Sequence, residues 1–498
     1  MRLAILAVIA TGCGGHASPA VALPAPAAGI AAMRWVPARP SYVFASSSVD
    51  DAQRGVRGAI DGTLQLLGIL GDHDLRDAVR AISGLLGVDA LHPDPLASIG
   101  VDLRGSWAMF SDELSPTLVV HLGAPDQMAT FLERQRERGL VTQSVIIDKT
   151  EVFTATLPGG VKLGWAIAGD WMWIHVGLPF LKEDGTTWFT ASHAPHGAAW
   201  TDDWVWAQRA AGATSGLVGF LGHPAIASLI RQVPDAIACA NLIDPVGRAA
   251  VSLDGDDRHF AARITFDIGP TDRLRAMILP RPSGWDATAA HAALAAQWNL
   301  DLAAARSWLA PRFAPCIGLA GGVVAMLDET GVRTARGVVL GLDPDSMSGS
   351  GAIAFDTTGS AFFERQLDRI PLRRTLERSR TFGAHKGHAI AIPFSVTVEY
   401  VLEPGLAIAA LGEGVVAALL APNPMGPAPI FALDVAPPVM SAGAWETVLH
   451  ALVDRQLTGP PSEAAKRVVE HLMRWRDARI AVTAEPGALV FTLSGNRR

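Results

Sequence analysis

The stretch AAVSLDGDDRHFAARITFDI at residues 249–268 carries the clearest fold signal in the chain. Ala249, Val251 and Leu253 alternate with other residues up to an Asp254-Gly255 turn, and apolar side chains alternate again over 262–268. A period of two, interrupted by an Asp-Gly turn, predicts an antiparallel hairpin with one buried face. A helix is predicted just before it, because Pro224 precedes apolar residues at helical spacing over 226–233.

The end of the chain repeats this order of helix and hairpin. Ser462 is placed to cap a helix with Val468, Leu472 and Trp475 on one face. The run IAVTAEPGALVFTL at 480–493 then alternates on both sides of a Pro-Gly turn. Three more pairs of segments match in order between the two halves: AMF at 108–110 with AML at 325–327, FLERQ at 131–135 with FFERQ at 362–366, and GWAIA at 164–168 with GLAIA at 405–409. Five matches in one order predict an internal duplication.

These patterns predict an α+β fold. Helices and hairpins are mixed without a regular strand–helix–strand repeat, so the strands should be mainly antiparallel and packed by helices. We expect two similar tandem modules over 35–275 and 285–498. The proline- and glycine-containing segment PRPSG at 280–284 is the predicted boundary between them.

Residues 1–13 are typical of an exported bacterial protein. Arg2 precedes an apolar run at 3–10, too short to span a bilayer, and small residues then lead to Cys13. The stretch resembles the lipobox of bacterial lipoproteins, with Ala10 at the usual leucine position. The resemblance implies a signal peptide over 1–12 and lipid on Cys13. The alternatives are an ordinary secretory signal or a mis-called start codon.

The residues around Cys13 extend this interpretation. Gly14 stands where the inner-membrane retention signal has an aspartate, which favours the outer membrane or the periplasmic face of the envelope. Residues 13–34 are rich in glycine, alanine and proline and predict a tether. Lipidation would leave two cysteines, Cys239 and Cys316, which either form a disulfide or are separate buried thiols.

Composition excludes some classes of protein. The chain has 498 residues, of which 49% are hydrophobic and 18% charged, so it is too apolar to be disordered and should be globular. Its formal net charge is −7, and no basic patch is evident, which argues against nucleic-acid binding.

Motifs for catalysis or cofactor binding are weak. GEGVVA at 412–417 fits a loose dinucleotide fingerprint with Asp434 downstream, but its helix is short and a turn between strand and helix is favoured. Two pairs of histidines, His193 with His196 and His385 with His388, have spacings that can ligate a metal, and Asp343 with Asp345 begins like a calcium loop. Asp254, Asp256 and Asp257 with His259 form an acidic turn. Solvated loops and hairpin ends are the favoured interpretation of all four. No catalytic, cofactor-binding or metal residue is predicted.

Tryptophans are concentrated between residues 165 and 206. Trp171 and Trp173 should share one face of a strand, as should Trp204 and Trp206. Together with Trp165 they either pack in the core, which is favoured, or form an apolar binding surface for a ligand or a partner.

Four stretches resemble a bacterial envelope domain family of unknown function: residues 37–44, 94–102, 131–132 and 165–169. Members of that family are often lipoproteins or single-span proteins. The resemblance covers mainly 35–270 and implies an envelope location, but it brings no established activity.

Two functions fit these features. The first is a lipid-anchored envelope protein that acts as a binding or scaffold component, with another envelope protein or an apolar ligand as its partner. The alternative is an envelope hydrolase whose active site carries no recognisable motif. An enzyme needs a cleft with converging titratable groups, whereas a scaffold needs an exposed apolar patch.

Overall fold

The computed structural model describes seventeen parts of the chain, and all structural statements concern these. They are residues 30–59, 89, 92–111, 115–137, 142–157, 160–177, 185–193, 198–212, 216–231, 246–256, 258–305, 330–343, 348–369, 373–392, 396–423, 426–453 and 462–498. Within these ranges the chain mixes helices with twenty strands. The predicted α+β class with mainly antiparallel strands is confirmed.

The strands fall into two groups of ten along the chain. The first group is β1 Tyr42–Ser46, β2 Trp107–Ser111, β3 Thr117–His121, β4 Thr142–Ile147, β5 Thr150–Thr156, β6 Lys162–Ala168, β7 Trp171–Gly177, β8 Leu217–Gly222, β9 Arg248–Gly255 and β10 His259–Asp267. The second group is β11 Leu294–Trp298, β12 Val332–Asp343, β13 Ser348–Thr357, β14 Glu377–Phe382, β15 His385–Ile392, β16 Val396–Glu403, β17 Leu406–Leu411, β18 Phe431–Val435, β19 Trp475–Glu485 and β20 Ala488–Arg497.

Helices lie between these strands. The α-helices of the described residues are α1 Val49–Ala59, α2 Pro93–Ser98, α3 Pro125–Glu137, α4 Thr187–Ala191, α5 Ala198–Ala211, α6 His223–Arg231, α7 Asp272–Ala276, α8 Trp285–Ala289, α9 Ala361–Leu367, α10 Arg373–Leu376, α11 Val415–Leu420, α12 Ala442–Val453 and α13 Glu463–Leu472. Short 3-10 helices span Ala31–Trp35 and Pro437–Val439. No helix in the described ranges is both long enough and apolar enough to cross a membrane.

All the strands belong to one sheet, and every pairing between them is antiparallel. The order across the sheet is β4-β5-β6-β7-β3-β2-β1-β8-β9-β10-β20-β19-β18-β11-β12-β13-β17-β16-β15-β14. From its outer end inward, the first half runs 4-5-6-7-3-2-1-8-9-10. The second half follows the same order with ten added to each number. The two halves meet where β10 pairs with β20.

The hairpins that define the fold class lie at this central join. Strands β9 and β10 form the predicted 249–268 hairpin, and β19 and β20 form the C-terminal one. The Ser462 hydroxyl accepts a hydrogen bond of 3.2 Å from the Ala465 amide, so the predicted helix cap is confirmed. Trp475, however, begins β19 and is not part of the preceding helix.

The segments that match in sequence between the two halves do not all occupy the same place in the strand order. Phe131 lies on α3 between β3 and β4, and Phe362 lies on α9 between β13 and β14, so these two occupy the same place in the order of elements. The 164–168 segment is on β6, whereas 406–409 is on β17, whose counterpart is β7. This pairing is wrong, because successive apolar strands of one meander look alike in short sequences. The 325–327 segment lies outside the described residues.

Helices cover both faces of the sheet in each half. In the first half, Trp173 packs with α4 and α5 on one face, whereas Met172 packs with Met128 of α3 on the other. In the second half, Val338 packs with α8 and α11, and the opposite face packs with Trp445 of α12 and with α13. Neighbouring residues of a strand point to opposite faces, which places these residues in separate cores.

Candidate functional site

A group of buried and half-buried charged side chains lies in the second half of the sheet, and we call it the arginine–aspartate cluster. It consists of Arg281, Arg336, Arg479, Asp286, Asp356 and Asp434. Backbone register explains how the strands bring them together. Asp434 of β18 lies directly opposite Arg479 of β19. Asp356 of β13 lies opposite Thr334, two residues along β12 from Arg336. Arg281 and Asp286 come from the segment that packs over this face.

Arg336 is the most deeply buried member, with a fully enclosed side chain. Its Nε donates to Asn299 Oδ1 at 2.7 Å, and its Nη2 donates at 2.9 Å to both the Pro280 carbonyl and Asp356 Oδ2. Its Nη1 has no hydrogen-bond partner among the described residues. One guanidinium thus joins three parts of the chain that are far apart in sequence.

The other two arginines are also held by carboxylates. Arg281 binds both oxygens of Asp286, at 2.8 and 3.0 Å, and donates to the Gly426 carbonyl at 3.0 Å. Arg479 Nε lies 3.0 Å from Asp434 Oδ1. A bidentate contact between arginine and carboxylate is among the stronger ion pairs and also fixes orientation.

Burial dominates the electrostatics of the cluster. Desolvation lowers the pKa of Arg281, Arg336 and Arg479, and the neighbouring aspartates act in the opposite direction. The charge of Arg281 lowers the pKa of the other two arginines further. Arginine nevertheless stays protonated in proteins. The three positive charges are matched by three carboxylates, so the cluster is a charge-balanced network rather than a free anion site.

An adjoining ion pair extends this network to the start of the second half. Burial raises the pKa of Asp301, but hydrogen bonds from Arg333 and from the amides of Ala303 and Ala304 outweigh it and leave this pKa below its usual value. Arg333 Nε donates to Asp301 Oδ2 at 3.2 Å. Perturbed pKa values often mark functional sites, but structural ion pairs perturb them as well.

A second group of titratable side chains, the tyrosine cluster, lies near the outer end of the second half. It consists of Arg373, Glu377, His388 and Tyr400. The Tyr400 hydroxyl donates to Glu377 Oε1 and accepts from Arg373 Nη2 at 3.0 Å, and His388 Nδ1 lies 2.9 Å from the same Glu377 oxygen. The His388 ring stacks on the Tyr400 ring. All four groups are therefore engaged with one another.

Both tyrosines of the chain, Tyr42 and Tyr400, are expected to resist ionisation. Burial raises the pKa of Tyr42 to about 12, against a smaller lowering by Ser111. Burial and the hydrogen bond to Glu377 raise the pKa of Tyr400 to about 12. The fold thus favours the neutral phenols, and the stability they contribute is full below about pH 10 and is lost as the pH rises towards 12.

An alkaline titration followed by tyrosinate absorbance measures this effect. The native protein should show its transition near pH 12, whereas the protein unfolded in urea should titrate near pH 10. The Tyr42→Phe variant should keep about half of the native amplitude, from Tyr400. Circular dichroism at each pH reports whether the fold is intact. A tyrosinate step near pH 10 in the folded protein would contradict the prediction.

In the first half, His121 lies between two carboxylates. Its Nδ1 is 2.9 Å from Asp102 Oδ2, and its Nε2 is 3.1 Å from Asp170 Oδ2. The ring also meets Trp171 edge-on. Each ring nitrogen of His121 therefore faces a carboxylate, and neither faces a hydroxyl or thiol of the described residues that could act as a nucleophile.

The predicted tryptophan cluster is mainly core. Trp165, Trp171, Trp173 and Trp204 are buried, and Trp206 is half-buried under the Arg248 guanidinium. Trp171 and Trp173 share one face of β7 as predicted, whereas Trp165 of β6 faces the other core. The strand prediction for Trp204 and Trp206 is wrong, because both lie on helix α5. Within the described residues these rings form no exposed apolar surface.

The dinucleotide fingerprint at 412–417 is a turn between β17 and α11, as favoured. Gly412 and Gly414 both have positive φ, and α11 has only six residues. The buried Glu399 carboxylate accepts hydrogen bonds from the Gly414 amide at 3.0 Å and the Val416 amide at 3.4 Å. A pyrophosphate would need these amides, but the carboxylate of the chain itself occupies them.

The remaining candidate residues are not brought together as ligands. His385 contacts Glu403 at 2.8 Å, whereas His388 belongs to the tyrosine cluster. Asp256 caps its own hairpin by accepting from the amides of Arg258 and His259, which lowers its pKa. No group of three metal-binding side chains occurs in the part of the chain that the structure describes. The other candidates fall, wholly or in part, outside it: Cys13, Cys239, Cys316, His196, Asp257 and Asp345.

The arginine–aspartate and tyrosine clusters are absent from the sequence predictions. A signal for Arg336 does exist, because it lies on the same face of β12 as Val338, in a stretch where alternate residues are buried. A charged residue at an inward position predicts a buried partner. The identity of that partner depends on strand order, which local patterns do not encode.

The fold defines this chain as an α+β protein with one large antiparallel sheet. No family model and no curated protein matches it. Among solved structures, crystal form III of TP0453 has 9% identity and a TM-score of 0.27, covering 48% of this chain and 81% of that chain. Crystal form I of TP0453 has 8% identity and a TM-score of 0.26, covering 49% and 80%. A similarity this weak gives no information about the function of this chain.

Proposed function

We propose that this chain is an exported, lipid-anchored protein of the bacterial cell envelope that acts as a binding or scaffold component. The structural observation that carries the binding role is the single antiparallel sheet that runs through both halves. Its buried charges are paired with one another, as in the arginine–aspartate cluster. Bidentate contacts of this kind fix the orientation of the elements that carry them, and rigid elements are the best supports for a binding surface.

The anchor is inferred from the N-terminal sequence. The pattern ATGC at 10–13 would supply the lipidation site, and residues 13–34 would separate the body from the membrane. The partner would be an envelope protein or an apolar ligand, reached at the outer membrane or on the periplasmic face.

We also propose that the body consists of two modules, 35–275 and 285–498, that arose by duplication. The strand order supports this, because the second half repeats the order of the first with ten added to each strand number. The equivalent positions of Phe131 and Phe362, and of the two terminal hairpins, support it as well.

The alternative function is an envelope hydrolase, and His121 is the observation that most favours it. A half-exposed histidine beside a carboxylate is the usual general base of hydrolases. The second carboxylate, Asp170, engages the other ring nitrogen at 3.1 Å, where a nucleophile would have to lie. This geometry leaves no place for a nucleophile at that nitrogen, so the hydrolase remains the alternative.

Metabolic labelling with a radioactive fatty acid tests the anchor. The wild-type protein should incorporate label, and Cys13→Ser should incorporate none, because the thiol of Cys13 is the acceptor. Cys239→Ser is the matched control and should keep the label. Equal labelling of wild type and Cys13→Ser would refute the lipid anchor.

Co-purification of the native protein from its membrane tests the binding role. A stoichiometric partner protein or a bound lipid would support it. Hydrolysis of envelope material by the purified protein, lost in His121→Ala, would instead favour the alternative.

A further inference from the structure

The two outermost strands of the sheet, β4 and β14, have different surfaces. Within the described residues, β4 pairs only with β5 and β14 pairs only with β15. A terminal strand presents unpaired backbone donors and acceptors on its free side. Natural proteins usually protect such edges with charged side chains, because pairing would require the charges to lose water.

Strand β14 is protected in this way. Its sequence ERSRTF contains three charged residues, Glu377, Arg378 and Arg380. Arg380 also forms ion pairs with Glu399 at 2.9 Å and Glu413 at 3.0 Å. A strand added beside β14 would have to displace or bury these charges.

Strand β4 has no such protection. Its sequence TQSVII contains no charged residue. Val145 is 46% exposed and Ile146 is 75% exposed, the highest value for a large hydrophobic side chain in the described residues. An uncharged edge strand with exposed apolar side chains is a template for pairing with another strand.

We propose that β4 is a docking edge whose occupant is β4 of a second copy of this chain, paired antiparallel across a two-fold axis. This inference goes beyond the binding role above and does not depend on the lipid anchor. A second copy fits because no register of β4 against itself brings two like charges together. A two-fold axis at Ile146 would place the two exposed Ile146 side chains opposite each other, and each Val145 opposite the half-buried Ile147 of the other copy.

The chain already uses the same geometry at the other end of each half. Strands β10 and β20 occupy equivalent places in the two ten-strand orders, and they pair antiparallel over nine residues, from His259 opposite Asn496 to Asp267 opposite Ala488. Pairing of β4 with its copy would repeat this edge-to-edge join at the outer end of the first half. A closed two-fold contact of this kind gives a dimer rather than a fibre, since β14 is blocked by charge.

The expected association is weak in solution. Six residues of strand span only about 20 Å, and the contact is smaller than a standard protein interface. We expect a dissociation constant on the order of micromolar or weaker. Two copies held at one membrane surface would meet at a higher effective concentration.

Sedimentation of the purified full chain over a range of concentrations tests the proposal. The wild type should form dimers, and Ile146→Lys should weaken the dimer by at least about tenfold, because it places two like charges at the edge. Ser379→Lys is the matched control, since Ser379 is exposed in the middle of β14. It should leave the dimer unchanged. Circular dichroism and the melting temperature should show that both variants are folded.

Photo-cross-linking in the native membrane identifies the occupant. A photoreactive residue in place of Ile146 should give a product that contains two copies of this chain, and the same residue in place of Ser379 should not. A product with a different protein, or a wild type that stays monomeric at all concentrations, would overturn the proposal. Because sedimentation uses the protein free of the membrane, failure of fatty-acid labelling at Cys13 would leave this result interpretable.

Discussion

Replacing Arg336 with methionine is expected to lower the free energy of unfolding by about 3 kcal/mol. The Arg336 guanidinium is enclosed by the sheet and donates to Asn299, Pro280 and Asp356. Methionine fills much of the same space but donates nothing, so a buried amide oxygen, a carbonyl and a carboxylate each lose a donor. Removal of one partner of a buried ion pair is strongly destabilising because the other charge is left uncompensated.

Urea unfolding followed by circular dichroism measures the loss. Arg378→Met is the matched control, because Arg378 is exposed on β14, and its effect should stay within about 0.5 kcal/mol. The double variant Arg336→Met with Asp356→Leu should recover part of the loss, since it removes the orphaned carboxylate. If Arg336→Met is as stable as the wild type, the cluster does not support the sheet as described.

Local patterns were sufficient to predict the strands that pair through short turns. The hairpin at 249–268 was predictable because β9 and β10 are neighbours in the sequence and pair through a short turn. The predicted single buried face is wrong, because Ser252 and Thr265 are buried whereas Val251 and Ile264 are half-buried. The helix cap at Ser462 has a similarly local cause, since its hydroxyl bonds to an amide three residues away. These features depend on neighbours in sequence, and this explains why the sequence alone predicts them.

The error at Trp204 and Trp206 has a physical reason. Aromatic residues two apart favour a strand, but alanines surround this pair at 198, 199, 207, 210 and 211, and alanine is the strongest helix former. On a helix, residues two apart do not share a face. Trp204 is accordingly buried, whereas Trp206 is only half-buried. The alanine content of residues 198–211 predicts this helix correctly, whereas the spacing of the two tryptophans does not.

The clusters could not be predicted because their partners are distant in sequence. Arg336 contacts residues 56, 37 and 20 positions away, and the strand order decides which of them it meets. The contact of Glu399 could not be predicted for the same reason. Its carboxylate accepts a hydrogen bond from the Gly414 amide at the start of α11, where a dinucleotide-binding loop would bind a phosphate. The position of that carboxylate can be predicted only when it is known that β16 pairs with β17.

Replacing Gly284 with alanine is expected to lower the free energy of unfolding by about 2–3 kcal/mol. A Cβ atom at this position would lie 1.8 Å from the carbonyl oxygen of Ala418 and 2.8 Å from that of Leu419. Both are backbone atoms near the end of α11 and cannot move independently. The 280–284 segment would have to shift, which would break the 2.8 Å hydrogen bond from the Gly284 amide to Leu419 and disturb the buried Trp285.

This substitution also tests whether residues 280–284 act as a free linker or as part of the second half. Arg281 and Ser283 donate to Gly426 and Leu420, which supports the second interpretation. Gly443→Ala is the matched control, because nothing lies within 4 Å of its Cβ position in α12, and alanine there should leave stability unchanged or slightly raised. Equal urea midpoints for the two variants would mean that the segment moves freely and that the boundary is a true linker.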